Sequence, residues 1–393
     1  MAFSLGIIII LGLIFNTIFE KFKLPGLLGL LILGVLIGPY GVGLLGKDIL
    51  SSSGDLRKIA LIVILLRAGL GIKKEDLKEN GISALKMSFI PGVVEGFTIA
   101  FMSVKLLNFS FIQGGILGFI IAAVSPAVLV PSMLKMIKQG LGKEKAIPTL
   151  IIAGASIDDV FAITIFGAFL SLYSGGDKYI GLQLLNIPVS IILGVLLGVI
   201  FAFILVHIFK RYNLTDTKKI LIVLGISILF TEVEKLLKPS IEIASLLGVM
   251  TIGFIISEKL PRIGKELSNG FNKIWTFAQM LLFILVGAEV NVSIALKAGK
   301  IGIIILAMGL IGRSTGVIIS LMGSNLNLKE KLFCIISYTP KATVQAAIGA
   351  IPLTLGVEGG EVILAIAVLS IIITAPLGAI GINYFGEKLL KNK

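Results

Sequence analysis

The sequence predicts an all-α polytopic membrane protein with thirteen transmembrane helices. Three observations carry that prediction. Of the 393 residues, 56% are hydrophobic and only 15% are charged, whereas soluble domains run at about a quarter charged. Mean hydropathy is +1.06. The apolar residues also come in long continuous runs, which suit spanning helices and not the alternating strands of a barrel. A soluble enzyme, a disulfide scaffold, a disordered chain and a nucleic-acid binder are therefore disfavoured. The single cysteine, Cys334, has no internal partner, and the net charge of +13 punctuates the apolar runs without gathering into one patch.

A helix needs roughly 20 apolar residues to cross the hydrocarbon core. In order, such stretches lie near residues 2–20, 27–45, 57–74, 86–107, 113–136, 147–173 and 185–210. Six more follow near 218–235, 241–257, 272–289, 299–322, 330–353 and 361–386. The eighth and tenth carry Glu232, Glu234 and Glu289 near one end. The first lacks a basic leader and a cleavage site and is expected to be retained. The 46 glycines recur inside the spans, where they favour close helix packing in lipid. The larger share of Lys and Arg falls in alternate loops, as at Lys73, Lys74, Lys135, Lys138, Lys210, Arg211, Lys259 and Arg262. The positive-inside rule then places the amino terminus outside and the carboxyl terminus in the cytoplasm. The Lys- and Ile-rich composition suggests a bacterial inner cell membrane. Few residues follow the last span, so ATP-driven transport is not expected.

Two spans carry helix breakers at mid-depth. The fifth reads Val124-Ser125-Pro126-Ala127-Val128, and the twelfth reads Ser337-Tyr338-Thr339-Pro340-Lys341. Proline removes a backbone hydrogen bond, and in lipid the freed groups must find protein, water or an ion. The two spans are an odd number of crossings apart, so they run in opposite directions. A charged span precedes each, with Glu95 before Pro126 and Arg313 before Pro340. Helices four to six therefore correspond to eleven to thirteen in inverted topology. Inverted repeats with two discontinuous crossing helices mark a secondary transporter whose site lies at the midplane.

The sixth span holds Ser156-Ile157-Asp158-Asp159. A charge at mid-bilayer costs at least about 3 kcal/mol, so such residues are functional or paired. Adjacent helical residues point about 100° apart, and both carboxylates can line one cavity. Two bare charges there repel, so the pair can hold a proton or a small cation; the alternative is an aspartate pair hydrogen-bonded to helix ends with no ion. Na⁺ or Li⁺ takes hard oxygen ligands, available from Asp158, Asp159, Ser125, Ser156 and Thr339 and from carbonyls freed at Pro126 and Pro340. Competition of proton and cation for one carboxylate suffices for exchange. Glu95 and Arg313 form a natural ion pair. Lys341 either balances a half-helix end or pairs with Asp158, and Arg67 either snorkels to the inner face or serves inside. His207 and Trp275 read as interfacial residues. No cofactor is expected.

Asp158-Asp159, Ser125-Pro126-Ala127-Val128, Arg67-Ala68-Gly69-Leu70, Gly38-Pro39-Tyr40-Gly41 and Pro340-Lys341-Ala342-Thr343-Val344-Gln345 together resemble the cation/proton antiporter superfamily. They are most similar to its NHA-type branch, bacterial relatives of the animal sodium/hydrogen exchanger 9B group. The resemblance implies a homodimer. Residues 1–80 and 213–292 would form its dimerisation domain and 176–212 a linker helix. Residues 81–175 and 293–393 would form an ion-transport core that moves as an elevator. It also implies that Asp159 binds cation and proton with Asp158 as partner. Arg313 stands where electrogenic relatives often carry Lys, while electroneutral relatives usually carry Asn where this chain has Asp158, so the sequence mixes features of both groups.

The function expected is exchange of Na⁺ or Li⁺ for H⁺. K⁺/H⁺ exchange, or Na⁺-coupled symport of an organic anion, fits the same fold. An intramembrane aspartyl protease is disfavoured, since its two carboxylates must face each other from different helices. A passive channel is disfavoured because no ring of pore charges is evident.

Overall fold

The computed structural model describes residues 1–22, 24–71, 81–173, 180–237 and 243–391, and among these the regular structure is helical, without strands. Lys73 and Lys74, two of the charges that set the expected orientation, lie outside the described residues. The helices in chain order are α1 (Ala2–Lys21), α2 (Gly26–Ile37), α3 (Lys47–Ser51), α4 (Ser53–Gly71) and α5 (Gly81–Leu107). Next come α6 (Phe111–Ile121), α7 (Pro126–Lys138), α8 (Ile147–Tyr173), α9 (Ile180–Arg211), α10 (Asp216–Leu237), α11 (Ser245–Lys259) and α12 (Pro261–Ala288). The last are α13 (Val292–Ser320), α14 (Leu328–Ser337), α15 (Thr343–Ile348), α16 (Ile351–Thr354) and α17 (Gly360–Leu390). Helix occupies part or all of each predicted stretch, and among the described residues seven helices are long and apolar enough to cross a membrane.

Two boundaries differ from the sequence reading. The second stretch was expected to run to 45, but α2 stops at Ile37 and Gly38 is extended. Pro39 follows Gly38, and a residue before proline is driven out of the helical region. The tenth stretch starts earlier than expected, because Pro261 opens α12 at a first-turn position where its missing N–H matters little.

The chain forms two compact units. One comprises Asp55–Glu75 and Gly176–Leu281. Here α9 and α11 approach backbone to backbone: a Cβ at Gly194 would sit 2.3 Å from the Ala244 carbonyl oxygen, and one at Gly198 would sit 2.5 Å from that of Gly248. The charges near the ends of this unit are paired, Lys58 with Glu232 at 2.8 Å, while Ser245 donates to Glu234. Trp275 is 7% exposed. Against it lies Arg67, whose guanidinium is 5.3 Å over the indole ring while its Nε donates to Asn272 Oδ1 at 2.8 Å. Burial of the ring thereby gives the cation a partner.

The other unit comprises Met1–Gly54, Asp76–Gly175 and Leu282–Lys393. It contains both interrupted spans. α5 packs along α13, with Gly316 admitting the backbone of Pro91 (a Cβ would sit 2.6 Å from the Pro91 Cα). Phe97, Phe119 and Phe169 form a ring cluster that ties α5, α6 and α8 together. The interruptions, residues 122–125 and 338–342, meet directly: the Ser125 N–H donates to the Pro340 carbonyl at 2.8 Å. Gly378 on α17 seats the ring of Pro340, since a Cβ there would lie 2.3 Å from its Cγ.

Candidate ion-binding site

A helix leaves its last carbonyls and first N–H groups without partners, and burial makes each of them costly. At the end of α6 the partners come from far away in sequence. Gln345 Nε2 donates to the carbonyls of Ile120 and Ile121 at 3.1 Å and of Ala123 at 2.9 Å. Arg313 Nη1 donates to the Ala122 carbonyl. On the donor side, the Val124 N–H is taken by Asp158 Oδ2 at 2.8 Å. Pro126 opens α7 without an N–H to satisfy.

The buried charges form one chain. Arg313 Nη1 donates to Glu95 Oε2 and Arg313 Nη2 to Asp158 Oδ2, each at 2.8 Å. Lys341 Nζ donates to the same Glu95 oxygen at 2.6 Å. Lys341 thus pairs with Glu95, whose Oε2 it shares with Arg313, while Asp158 Oδ2 accepts from Arg313 and the Val124 N–H. Its own N–H donates to Thr374 Oγ1 at 2.8 Å. Glu95 and Asp158 are each 1% exposed, Arg313 2% and Lys341 0%. Gly92 on α5 makes room for Asp158, whose Oδ1 would lie 3.1 Å from a Cβ there.

Asp159 stands apart from this chain. It is buried, and its Oδ1 has no hydrogen-bond partner among the described residues. Other buried oxygens around the two interruptions are equally orphaned among the described residues: Asp158 Oδ1, Ser125 Oγ, Thr343 Oγ1 and Gln345 Oε1. Ser125 is the N-cap of α7 yet makes no capping bond. Native structures leave few buried polar atoms unmatched, so such a concentration calls for a ligand. The donor set is hard oxygen, of the kind small monovalent cations take. Thr339 is placed differently, with its hydroxyl donating to the Ile336 carbonyl at 2.8 Å and so finishing α14. The side chain of Ser156 lies outside the described residues. Among the described residues no group of three or more His, Cys, Asp and Glu side chains comes together as a metal site.

Gln345, Thr343, Thr374 and Tyr338 received no role from sequence. A signal for Gln345 was present, since a long amide at mid-depth is expensive unless it bonds to something. The partners of Thr374 and Tyr338 depend on packing between segments distant in sequence, which no local pattern announces.

Two interrupted helices crossing beside buried ion pairs, in an all-helical apolar chain, constitute the architecture of a secondary transporter, not of an enzyme. Comparisons with known proteins agree. Residues 6–388 match the family described as "Sodium/hydrogen exchanger, transmembrane". Human sodium/hydrogen exchanger 9B2 is 34% identical over 385 residues, spanning 94% of this chain and 70% of the relative. Human sodium/hydrogen exchanger 9B1 is 31% identical over 386 residues, spanning 93% and 73%. Among solved structures, the sodium proton antiporter MjNhaP1 of Methanocaldococcus jannaschii superposes with a TM-score of 0.87, covering 99% of this chain and 98% of that one. At 22% identity, that likeness speaks for the fold. The chain belongs to the sodium/hydrogen exchanger family of multi-pass membrane transporters.

Proposed function

We propose that the protein exchanges Na⁺ or Li⁺ for H⁺, with cation and proton competing for Asp159. The observation that carries this reading is a charge imbalance. Three buried carboxylates, Glu95, Asp158 and Asp159, face two buried cations, Arg313 and Lys341. The four residues other than Asp159 bond to one another. One negative charge is left over, on the carboxylate outside that chain.

A single leftover charge in low dielectric is neutralised by one proton or one monovalent cation. Either makes the site neutral and able to change sides; the bare anion faces the dielectric barrier of the membrane. Exchange is then one for one. Ser125, Thr343 and Gln345 supply further oxygens to the cation, while Glu95, Arg313 and Lys341 hold the crossing in place. Sodium is favoured because the relatives are sodium/hydrogen exchangers.

The wider reading assigns residues 81–175 and 293–393 to an ion-transport core moving as an elevator. Residues 1–80 and 213–292 form a dimerisation domain, joined to the core by a linker helix at 176–212. The protein is a homodimer in a cell membrane, with its amino terminus outside. No cofactor takes part.

The test is reconstitution into proteoliposomes containing a pH-sensitive dye. Adding Na⁺ or Li⁺ produces proton movement, and on a solid-supported membrane the same jump produces no sustained current. Absence of proton movement with either cation overturns antiport of these ions, and a response to K⁺ alone moves the substrate to potassium. A sustained current overturns the one-for-one ratio.

A further inference from the structure

Beside the buried ion pairs lies a buried phenol with no assigned part. Tyr338 is fully buried, at 0% exposure, immediately after α14 at the start of the second interruption. Arg313, the guanidinium that joins Glu95 to Asp158, lies 5.2 Å from the centre of its ring. Its hydroxyl has no hydrogen-bond partner among the described residues. Such a buried group is expected to have a partner in some working state of the protein.

The backbone of α8 is shaped around that hydroxyl. A Cβ at Gly154 would sit 2.2 Å from the Tyr338 oxygen, closer than any real contact, and 3.0 Å from the Met87 Cβ. Gly154 lies one helical turn before Asp158, on the same face of α8. Glycine therefore keeps a slot open for a polar atom directly beneath the aspartates. Asp158 Oδ1 is an orphan acceptor, just as the Tyr338 hydroxyl is an orphan donor. Both residues share Arg313.

We propose that Tyr338 is a positioning residue for exchange: its ring holds Arg313 between the two carboxylates, and its hydroxyl, in the slot kept by Gly154, donates to Asp158 while Asp159 is charged. Tyr338 touches neither ion nor proton. It acts by drawing negative charge away from Asp159's neighbour. Without the hydroxyl, Asp158 presents more unshared negative charge to the cation held at Asp159, which then binds more tightly. The inference rests on the reading of Asp159 as the exchanging carboxylate.

The experiment combines Tyr338→Phe, Gly154→Ala and the double variant, each measured for Na⁺-driven proton flux against Na⁺ concentration at alkaline pH and for thermal unfolding in detergent. Tyr338→Phe retains the ring and lowers the apparent KM for Na⁺ several-fold, with the maximal rate per folded protein little changed, within the size of one hydrogen bond to a charged group. Gly154→Ala alone lowers the melting temperature. In the Tyr338→Phe background it lowers it much less, because the atom it collides with is gone. An unchanged KM for Na⁺ in Tyr338→Phe overturns the proposal and leaves the tyrosine a packing residue. Independent, additive stability effects overturn the slot. Asp159→Asn serves as the separate control: persistence of exchange in that variant removes the underlying reading, whereas the stability coupling between Gly154 and Tyr338 stands or falls without it.

Discussion

The two interruptions at the crossing look alike in sequence, each a hydroxyl residue followed by proline, but they are held by different means. The second is closed largely by its own neighbours. The Tyr338 N–H donates to the Cys334 and Ile335 carbonyls and the Thr339 N–H to that of Ile336. Two groups go farther afield: the Lys341 N–H donates to Thr374, and the Pro340 carbonyl accepts from the Ser125 N–H. The first is held from a distance. Its carbonyls at 120–123 go to Gln345 and Arg313, and its N–H groups at 124 and 125 to Asp158 and Pro340. A break that closes itself needs little from the rest of the fold. A break closed by four distant groups makes the fold depend on those groups, and they are thereby fixed in place.

That difference separates the two aspartates. Asp158 is spent on structure, because its Oδ2 serves both the first interruption and Arg313. Asp159 is one residue along and serves neither. One carboxylate is thus bound into the crossing, and its neighbour keeps an oxygen without a partner among the described residues.

The comparison can be broken most forcefully at Arg313. Arg313→Leu removes the partner of Asp158 and orphans the Ala122 carbonyl, and should destabilise by about 3–5 kcal/mol, as expected for stripping one member from a buried ion pair. Thermal unfolding or the yield of folded protein in detergent measures this, and a melting point near wild type would contradict the arrangement. Gln345→Leu comes next. It leaves three buried carbonyls without donors, with an expected loss of about 1–3 kcal/mol. Thr374→Val and Thr339→Val touch the self-closed interruption, and each should lose about 1 kcal/mol or less. A reversal of that order, with the threonines outweighing Gln345, would mean that the first interruption does not depend on distant groups.

The spans were legible from sequence because burial in lipid demands unbroken apolar runs, and those runs stand out against any soluble background. Both interruptions were legible for the same reason, as proline and hydroxyl residues inside apolar stretches. The early end of α2 at Ile37 was overlooked because Val42, Leu44 and Leu45 extend the apolar run past Gly38-Pro39. Trp275 was read by its residue type, and only packing shows that Arg67 lies over its ring. At the site, the sequence supplied Glu95, Arg313, Asp158, Asp159 and Lys341 as buried charges but left Lys341 between two roles. Its pairing with Glu95 depends on how three segments pack at once, since Lys341 and Arg313 meet on one Glu95 oxygen. Gln345 shows the same limit: its amide was visible in the sequence, and the carbonyls it serves lie more than two hundred residues away.

The central proposal is that Asp159 is the exchanging carboxylate and Asp158 its fixed neighbour. The direct measurement is Na⁺-driven proton flux in proteoliposomes for Asp159→Asn beside Asp158→Asn, each normalised to folded protein. The expected result is complete loss of flux in Asp159→Asn, with partial flux and an altered pH profile in Asp158→Asn. Undiminished flux in Asp159→Asn would contradict that proposal outright.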